Sequence, residues 1–382
     1  MIEKKVLLNK LDRGEAILRA VKMGSEKIVS LIKDSELRGR GGAGFPTGIK
    51  WERVLNQSEK ERYLICNADE GEPGTFKDRI LLEEYTEKMI EGMIIGQIAI
   101  GAKKSFIYLR QEYKFLAEKI KNTIEEYKKL FGDKVDFQID LRFGAGAYVC
   151  GEEFALIESL NGFRGEPRNK PPFPTEKGFK NKPTVVNNVE TLCNIPHIVL
   201  NGASWFKKFG VKGCYGTKLF SVAGDVEKPG IYEVEMGIPL IELLEHVGGV
   251  DSKAVQVGGY AGTTVVPEDY YKTLCFGDLP PGGSIIVIGK NRDMGKVLEN
   301  ILEFFLEESC GQCTPCREGN YRLLEGLRLL RDGKASIKYL KTLFTLCDVM
   351  KISAKCGLGQ SSPNSFLAIM KNFKDEILYN ER

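Results

Sequence analysis

Three cysteines within seven residues, Cys310, Cys313 and Cys316 in the run SCGQCTPCREG, restrict this chain's fold more than any other feature. C-x2-C-x2-C spacing needs a loop that aims three thiolates at one centre, which suits three corners of an iron–sulfur cubane. Cys356 lies far downstream, in KCGLGQSSPN, another small glycine-rich loop where the backbone can approach a bulky cluster closely. The expected metal set is therefore Cys310, Cys313, Cys316 and Cys356 around a [4Fe-4S] cluster. Structural zinc also takes four thiolates, but usually from two separated C-x2-C pairs, and the second pair is missing. Cys347 is an alternative fourth ligand, although it falls in an apolar helix pattern where a buried thiol is the ordinary outcome. Ser362-Pro363 fits an N-cap and first-turn pair opening a last helix.

The 382 residues exceed one comfortable core and suggest two or three domains; pattern changes near 217 and 293 place them at 1–216, 217–292 and 293–382. Hydrophobic residues make up 42% and charged residues 28%, as in soluble globular proteins. A net charge of +3 gives no ground for nucleic acid or an anionic membrane as partner. MIEKKVLLNKLDRGEAILR has no sustained apolar core of the secretory kind, and MIEGMIIGQIAIGA carries Glu91 and is too short to span a bilayer, so no direct membrane insertion is expected. Without an export signal, the ten cysteines argue against a disulfide framework, and those outside the cluster read as buried thiols.

Residues 1–37 read as helical from Ile28, Leu31 and Ile32. The glycine-dense loop RGRGGAGFPTGIKW follows, then the strand RYLICNA, the loop DEGEPGT and one long helix from Phe76 to about Ile100. The strand SFIYL, an amphipathic helix over 112–132 ending near Gly132, the strand VDFQIDLRF, the loop GAGAYVCGEE and the helix FALIESL complete a βαβαβα order. That order implies a parallel sheet with right-handed crossovers, an α/β fold of Rossmann-like kind. Four prolines between Pro167 and Pro174 forbid regular structure there, and such a long loop is usually functional or disordered. From about 217, strand–strand–helix–strand resembles a β-grasp module with a turn at Lys228-Pro229-Gly230, and from about 293 the pattern is helical throughout.

The strand ends carry the candidate binding residues. Gly39, Gly41 and Gly44 satisfy G-x-G-x-x-G, but a helix rather than a strand precedes them, which is wrong for a dinucleotide loop. Lys50 and the extra glycines still suit a flat or anionic ligand; a tight structural loop is the competing reading. Gly144, Gly146 and Gly151 lie between strand and helix, at the usual ligand edge of a parallel sheet. Asn67, Asp69, Glu70 and Glu72 reach the same edge, either to serve a ligand's polar groups, which Asn67 and Asp69 suit best, or as solvated and helix-start carboxylates. Asn187, Asn188 and Thr191 serve a phosphate or cap a helix. Phe45 and Phe173 are candidates to stack on a planar ring, with core packing as the alternative. His197 and His246 fall in apolar helical contexts and receive no role; no hydrolase triad is present.

RGRGGAGFPTGIKW, NADEGEPGTFKDR, GAGAYVCGEE, NKPPFP, VVNNVET and ESCGQCTPCREG stand here in one order, over roughly residues 15–370. Together they closely resemble the flavoprotein subunit of respiratory complex I and the diaphorase subunits of NAD-linked hydrogenases, formate dehydrogenases and electron-bifurcating complexes. The resemblance implies a Rossmann-like FMN domain, a β-grasp domain and a helical [4Fe-4S] domain. It places Gly39, Gly41, Lys50, Asn67, Asp69, Glu70, Gly151, Asn187, Asn188 and Thr191 against FMN. It places Phe45, Glu72, Glu153, Lys170 and Phe173 around NAD(H), with the Glu153 carboxylate near the ribose repelling a 2′-phosphate and so favouring NADH over NADPH. No side chain is expected to act as a catalytic acid or base. Phe154, where the family commonly has a small residue, and Lys355 beside Cys356 depart from the pattern. The absence of extra ferredoxin or thioredoxin-like cysteine segments matches the respiratory type. The implied function is electron entry from NADH, with a small thioredoxin-like [2Fe-2S] subunit and further iron–sulfur subunits as partners. The implied location is cytoplasmic, with any membrane association made through the larger complex. A hydrogenase or formate dehydrogenase diaphorase is the alternative within this class. A non-catalytic ligand-binding scaffold is the alternative outside it.

Overall fold

The near-continuous apolar runs of the first half form strands covered on both faces, as parallel sheets require. In the computed structural model, which describes residues 2–378, helices α1 (Glu15–Met23), α2 (Ser25–Asp34) and α3 (Thr47–Leu55) precede strand β1 (Tyr63–Ala68). Helices α4 (Lys77–Glu84) and α5 (Thr86–Ile100), strand β2 (Lys104–Leu109), helix α6 (Ala117–Phe131) and strand β3 (Gln138–Phe143) follow. Helix α7 (Glu153–Leu160), the short α8 (Pro174–Lys177), strand β4 (Thr184–Asn188) and helix α9 (Val189–Asn201) close this part. The four strands are parallel, in the order β3-β2-β1-β4. Along β1, Leu64 and Cys66 enter one core while Tyr63 and Ile65 enter the other, the period-two alternation of a two-faced strand. Because the chain moves outward from β1 to β3 and then returns to the far side of β1, the sheet has a topological switch point between β1 and β4.

Beyond helix α10 (Ala203–Phe206) and the small hairpin β5 (Gly210–Val211) and β6 (Cys214–Tyr215) lies a second sheet. Its strands are β7 (Thr217–Gly224), β8 (Gly230–Glu235), β9 (Ala254–Val257), β10 (Thr263–Val265) and β11 (Ser284–Ile288), in the order β10-β9-β11-β7-β8. Here β7 and β11 run parallel at the centre, with antiparallel neighbours on either side. Helix α11 (Leu240–Val247) buries Leu243, Leu244 and Val247 against this sheet and stops at Gly248, whose φ of 73° a glycine adopts without strain. Helices α12 (Met294–Glu308), α13 (Thr314–Arg331), α14 (Ile337–Ser353), α15 (Gly357–Ser361) and α16 (Pro363–Ile377) complete the described chain. Their core of Leu298, Phe305, Leu323, Leu343 and Phe366 is continuous with the Tyr63–Ile65 face of the first sheet.

Several expectations change. Of the first 37 residues, the described helices cover only 15–23 and 25–34, parted at Gly24. The preceding segment is an irregular arm held by long-range partners: the Glu233 carboxylate accepts the Val6, Leu7 and Leu8 N–H groups at 3.1, 2.8 and 3.0 Å. Lys88 Nζ donates to the Leu7 and Asn9 carbonyls. The single helix expected over 76–100 breaks at Tyr85, whose φ is −131°, with no glycine or proline to announce it. The start of the 112–132 helix is a 3-10 turn over Gln111–Leu116. The proline-rich segment is largely irregular, yet it holds α8 and leads into β4. Cys214 and Cys275 were expected as buried thiols; they are joined in a disulfide that ties the β5–β6 hairpin to the loop before β11. Sequence spacing carries no signal for that pairing, because the two lie 61 residues apart. No described helix is long and apolar enough to cross a membrane.

Candidate functional site

The carboxyl ends of β1 and β4 meet at the switch point, with Cys66 opposite Asn187 and Asn67 opposite Asn188. Asn67 Nδ2 donates to the Gly151 carbonyl at 2.9 Å, and Asn67 Oδ1 accepts the Asp69 N–H at 3.0 Å. Asn67 thereby links the first strand end to the GAGAYVCGEE loop. Asp69 Oδ2 is buried with no protein partner. Burial raises the Asp69 carboxyl to about 7, partly opposed by Arg110. A buried carboxylate oxygen without a donor is an unfilled requirement that a ligand N–H or O–H would satisfy. Asn187 is committed to the Trp51 indole N–H at 2.8 Å. Asn188 caps α9, accepting the Glu190 N–H at 3.0 Å, and donates to Asp78 at 2.6 Å. Thr191 Oγ1 accepts the Arg40 N–H at 2.8 Å, fixing the first glycine loop on α9. Capping, the commoner fate, is thus what Asn188 does, while its position at the switch point remains.

Not every expected residue faces this edge freely. Glu70 is buried and accepts the Asp78 and Arg79 N–H groups at 2.8 and 3.2 Å and the Tyr113 hydroxyl at 3.0 Å, so it anchors the start of α4. Glu72 accepts the Tyr148 hydroxyl at 2.7 Å and the Tyr260 N–H at 2.6 Å, joining the second sheet to the GAGAYVCGEE loop. Both carboxylates serve the chain's own donors. Tyr148 is a residue that sequence reasoning missed, since a tyrosine in a glycine loop carries no signal of its partner.

The first glycine loop offers an open face. A Cβ placed at Gly42 would meet nothing within 4 Å, and at Gly39 and Gly151 the nearest atoms lie at 3.6 and 3.8 Å. Gly41 is tighter, 3.0 Å from Asn188 Cβ. Protein packing therefore does not require glycine at Gly39 or Gly151, which fits a surface kept bare for a planar ligand. Phe45 and Phe173 are each 40% exposed, unusual for large aromatics and suited to stacking. Beside Phe45, whose ring centroid lies 5.8 Å from Lys50 Nζ, runs an ion chain: Lys50 Nζ to Glu153 Oε2 at 3.1 Å, and Lys170 Nζ to Glu153 Oε1 at 3.2 Å and Glu152 Oε1 at 2.8 Å. Burial alone would raise the Glu153 carboxyl; Lys50 and Lys170 reverse that and hold it below its ordinary value. The cavities of about 250 and 510 Å³ elsewhere in the molecule, beside β5 and beside β11, are not at this edge.

Phe154 does not form the pocket wall directly. It is fully buried, with the Arg168 guanidinium and the Lys170 ammonium 5.3 and 5.5 Å from its ring centroid, so it is the floor beneath Lys170. Phe154→Thr should cost about 3 kcal/mol through the cavity it leaves, read as a shift of the denaturation midpoint.

The four cluster cysteines come together at the junction of α12, α13 and α15. Cys316 is buried, and Cys310, Cys313 and Cys356 pack around the same core. A Cβ on Gly359 would lie 2.8 Å from Cys316 Cβ, so only glycine allows this approach of the two loops. Cys316 Sγ lies 3.3 Å from Ser309 Oγ and 3.4 Å from Asn320 Nδ2; burial raises the Cys356 thiol, partly opposed by the Gly359 and Leu358 N–H groups. Burial pushes the Cys316 thiol up to about 11, and Cys313, Cys356 and Cys310 add to it, so thiolates here repel until cations hold them. Among the described residues no three His, Cys, Asp or Glu side chains converge closely enough for one ion. A cubane spreads its thiolates over four iron corners, and with sulfur-directed N–H donors present the site fits a cluster better than zinc. Cys347 is fully buried within α14.

The parallel sheet with its switch-point edge, the second sheet and the four-thiolate helical region fit a protein that binds a planar ligand at the sheet edge and an iron–sulfur cluster among its helices. The Nuo51 FMN-binding domain matches residues 32–197, the SLBB domain residues 219–264, and the NADH-ubiquinone oxidoreductase-F iron-sulfur binding region residues 296–380. The NAD-reducing hydrogenase HoxS subunit alpha of Cupriavidus necator is 44% identical over 93% of this chain and 60% of its own length. The NADP-reducing hydrogenase subunit HndC of Solidesulfovibrio fructosivorans is 42% identical over 95% of this chain and 77% of its own length. The second of the NADH-quinone oxidoreductase F subunits of Rhizobium meliloti is 42% identical over 92% and 88%. The crystal structure of an NAD+-reducing [NiFe]-hydrogenase in the H2-reduced state superposes with a TM-score of 0.94 at 39% identity, covering 99% of this chain and 68% of that one. The chain belongs to the family of the NADH-quinone oxidoreductase F subunits and the related hydrogenase diaphorase subunits. It therefore carries an FMN-binding domain and a [4Fe-4S] binding region.

Proposed function

We propose that this chain is an electron-entry subunit that exchanges hydride between NAD(H) and FMN and relays single electrons through its [4Fe-4S] cluster to partner redox subunits. One observation carries the reading: a single short loop joins the two centres. Gly151 of that loop receives Asn67 from the sheet edge, while the Tyr148 N–H donates at 2.9 Å to Glu308, two residues before Cys310. When bound, FMN supplies a ring that accepts a hydride and releases electrons singly, chemistry that asks the protein for placement and a dry pocket, not for an acid or base. Gly39, Gly41, Lys50, Asn67, Asp69, Gly151, Asn187, Asn188 and Thr191 would hold FMN, with Glu70 setting the strand end. Phe45, Phe173, Lys170 and Glu153 would hold the nucleotide, with Glu72 fixing the wall. Domain boundaries at 216/217 and 292/293 separate the two sheets and the cluster helices.

The partners of this reading are a small thioredoxin-like [2Fe-2S] subunit and further iron–sulfur subunits of a larger complex, in the cytoplasm. Relatives from hydrogenase and quinone oxidoreductase complexes stand at similar identity, 44% and 42%, so either kind of complex suits the chain. Co-purification of the tagged chain with a [2Fe-2S] protein tests the first partner; a stable, fully active monomer contradicts it.

Two measurements follow from the charges. Asp69 is protonated in the ligand-free chain below about 7, and donors on FMN would favour its ionised form. FMN affinity should therefore rise by up to roughly tenfold per pH unit toward 7 and then level. Asp69→Asn should remove that component, leaving only the titration of the FMN phosphate, which both proteins share. Equal slopes contradict the contact. Glu153→Gln frees Lys50 and Lys170 from their shared carboxylate, and NADPH affinity should rise roughly tenfold relative to NADH, as one unpaired charge contact allows. An unchanged nucleotide ratio by stopped-flow reduction contradicts this role.

A further inference from the structure

Beneath the first glycine loop lies a buried charge cluster that the FMN, nucleotide and iron–sulfur contacts leave unused. Arg40, Lys77, Asp78, Glu190 and Lys218 are all buried, and Lys218 and Glu190 have no solvent exposure at all. Lys218 sits on β7 of the second sheet. Its ammonium donates to the Arg40 carbonyl of the glycine loop at 2.9 Å and to Glu190 of α9 at 3.1 Å. Glu190 also accepts the Leu219 N–H at 2.9 Å and pairs with Lys77 at 2.9 Å. The Arg40 guanidinium has only carbonyl acceptors, those of Thr217, Arg38 and Tyr215 at 3.2, 3.0 and 2.7 Å. Loop, helix α9 and strand β7 are therefore stitched through one ammonium group.

We propose that Lys218 is a positioning residue for the flavin: it holds the loop from Arg38 to Gly41 in its ligand-receiving shape against Asn188 and Thr191, which makes the β-grasp sheet part of the flavin site. The inference deepens the FMN reading and rests on it. A buried ammonium is a poor way to gain stability, since an apolar side chain of similar volume usually serves as well or better. What it provides here is a directed donor. The Arg40 carbonyl lies in the loop that carries the open glycine face, and Gly41, next in the chain, lies 3.0 Å from Asn188 Cβ. If the carbonyl turns away from its donor, the Gly41 approach to α9 changes with it. Thr191 holds the N–H of the same Arg40 residue, so both ends of this residue are fixed before any ligand arrives.

The test is FMN binding to the full chain, cluster-loaded and stripped of flavin under anaerobic conditions, followed by flavin fluorescence quenching. Lys218→Met keeps the volume and removes the donor. It should weaken FMN binding roughly tenfold or more, as misplacement of a preorganised loop does, with iron content unchanged. Lys218→Arg, which keeps the charge but moves the donor, should fall between Lys218→Met and the unchanged chain. A lowered melting temperature with unchanged FMN affinity makes Lys218 a structural strut only and overturns the proposal. If Lys218→Met does not fold, Lys218→Arg alone decides: measurably weaker FMN binding supports the proposal, and equal affinity overturns it. Failure of the unchanged chain to bind FMN removes the flavin reading itself, and the proposal falls with it.

Discussion

Cys356→Ala is expected to lower iron from about four atoms per chain to about three or fewer, because the corner iron that this thiolate would hold loses its ligand. Electron delivery to one-electron acceptors that draw on the cluster should fall by more than about 100-fold, beyond what loss of an outer hydrogen bond to a metal ligand costs. Bleaching of the flavin by NADH should survive, because the switch-point edge is built from β1, β4 and the glycine loops without Cys356. The informative control is Cys347→Ala. Cys347 is fully buried in α14 and faces the helical core, so its loss should cost stability and leave iron in place. Iron analysis of the two variants side by side separates them. A full complement of about four irons with an unchanged cluster spectrum in Cys356→Ala, or lost iron in folded Cys347→Ala, contradicts the ligand set.

The second large effect concerns Glu190. Burial would raise its carboxyl, but Lys218, Lys77 and Arg40 hold it ionised, down to about 2. Burial, with Lys77 and Arg40, lowers Lys218 to about 8, while Lys77, with Asp78 as well as Glu190 beside it, is driven up. Glu190→Gln leaves two buried ammonium groups short of their counter-charge, which should cost about 3–5 kcal/mol and lower the melting temperature by roughly 10 °C. The pH dependence has a definite sign. The folded-state value lies below the ordinary 4.5, so this stabilisation is complete above about 4.5 and is lost as pH falls through about 2. The Glu190→Gln protein should lack that acid-side loss, and thermal melts between these limits check it. Parallel melting curves for the two proteins across that range contradict the role.

The gathering of the four cysteines and the sheet edge were legible because each rests on a local pattern: close cysteine spacing, glycines after strands, and acids and amides at strand ends. Phe45 and Phe173 are half-exposed, which leaves room for the stacking role that the family resemblance implies for them. What escaped the sequence depends on contacts between distant segments. Glu70 and Glu72 looked like ligand carboxylates, but Tyr113 and Tyr260, far along the chain, supply their donors. Lys218 lies inside the apolar-looking strand KLFSVAG, where a lysine reads as an edge residue until Glu190 and the Arg40 carbonyl are found beside it. The Tyr85 break and the Cys214–Cys275 disulfide likewise follow from tertiary packing that no local spacing encodes. Family motifs carried the cofactor assignment. The geometry added why particular residues are fixed where they are.

Whether NADH, flavin and cluster form one electron path is decided by an anaerobic titration of the purified, cofactor-loaded chain with NADH, read by visible absorbance and low-temperature EPR, with NADPH in parallel. Bleaching of a flavin band should appear together with the signal of a reduced [4Fe-4S] cluster, reached at lower NADH than NADPH. A chain that stays colourless and iron-free after reconstitution with FMN, iron and sulfide, or one whose bound flavin bleaches while its cluster remains oxidised, would contradict electron entry through this chain.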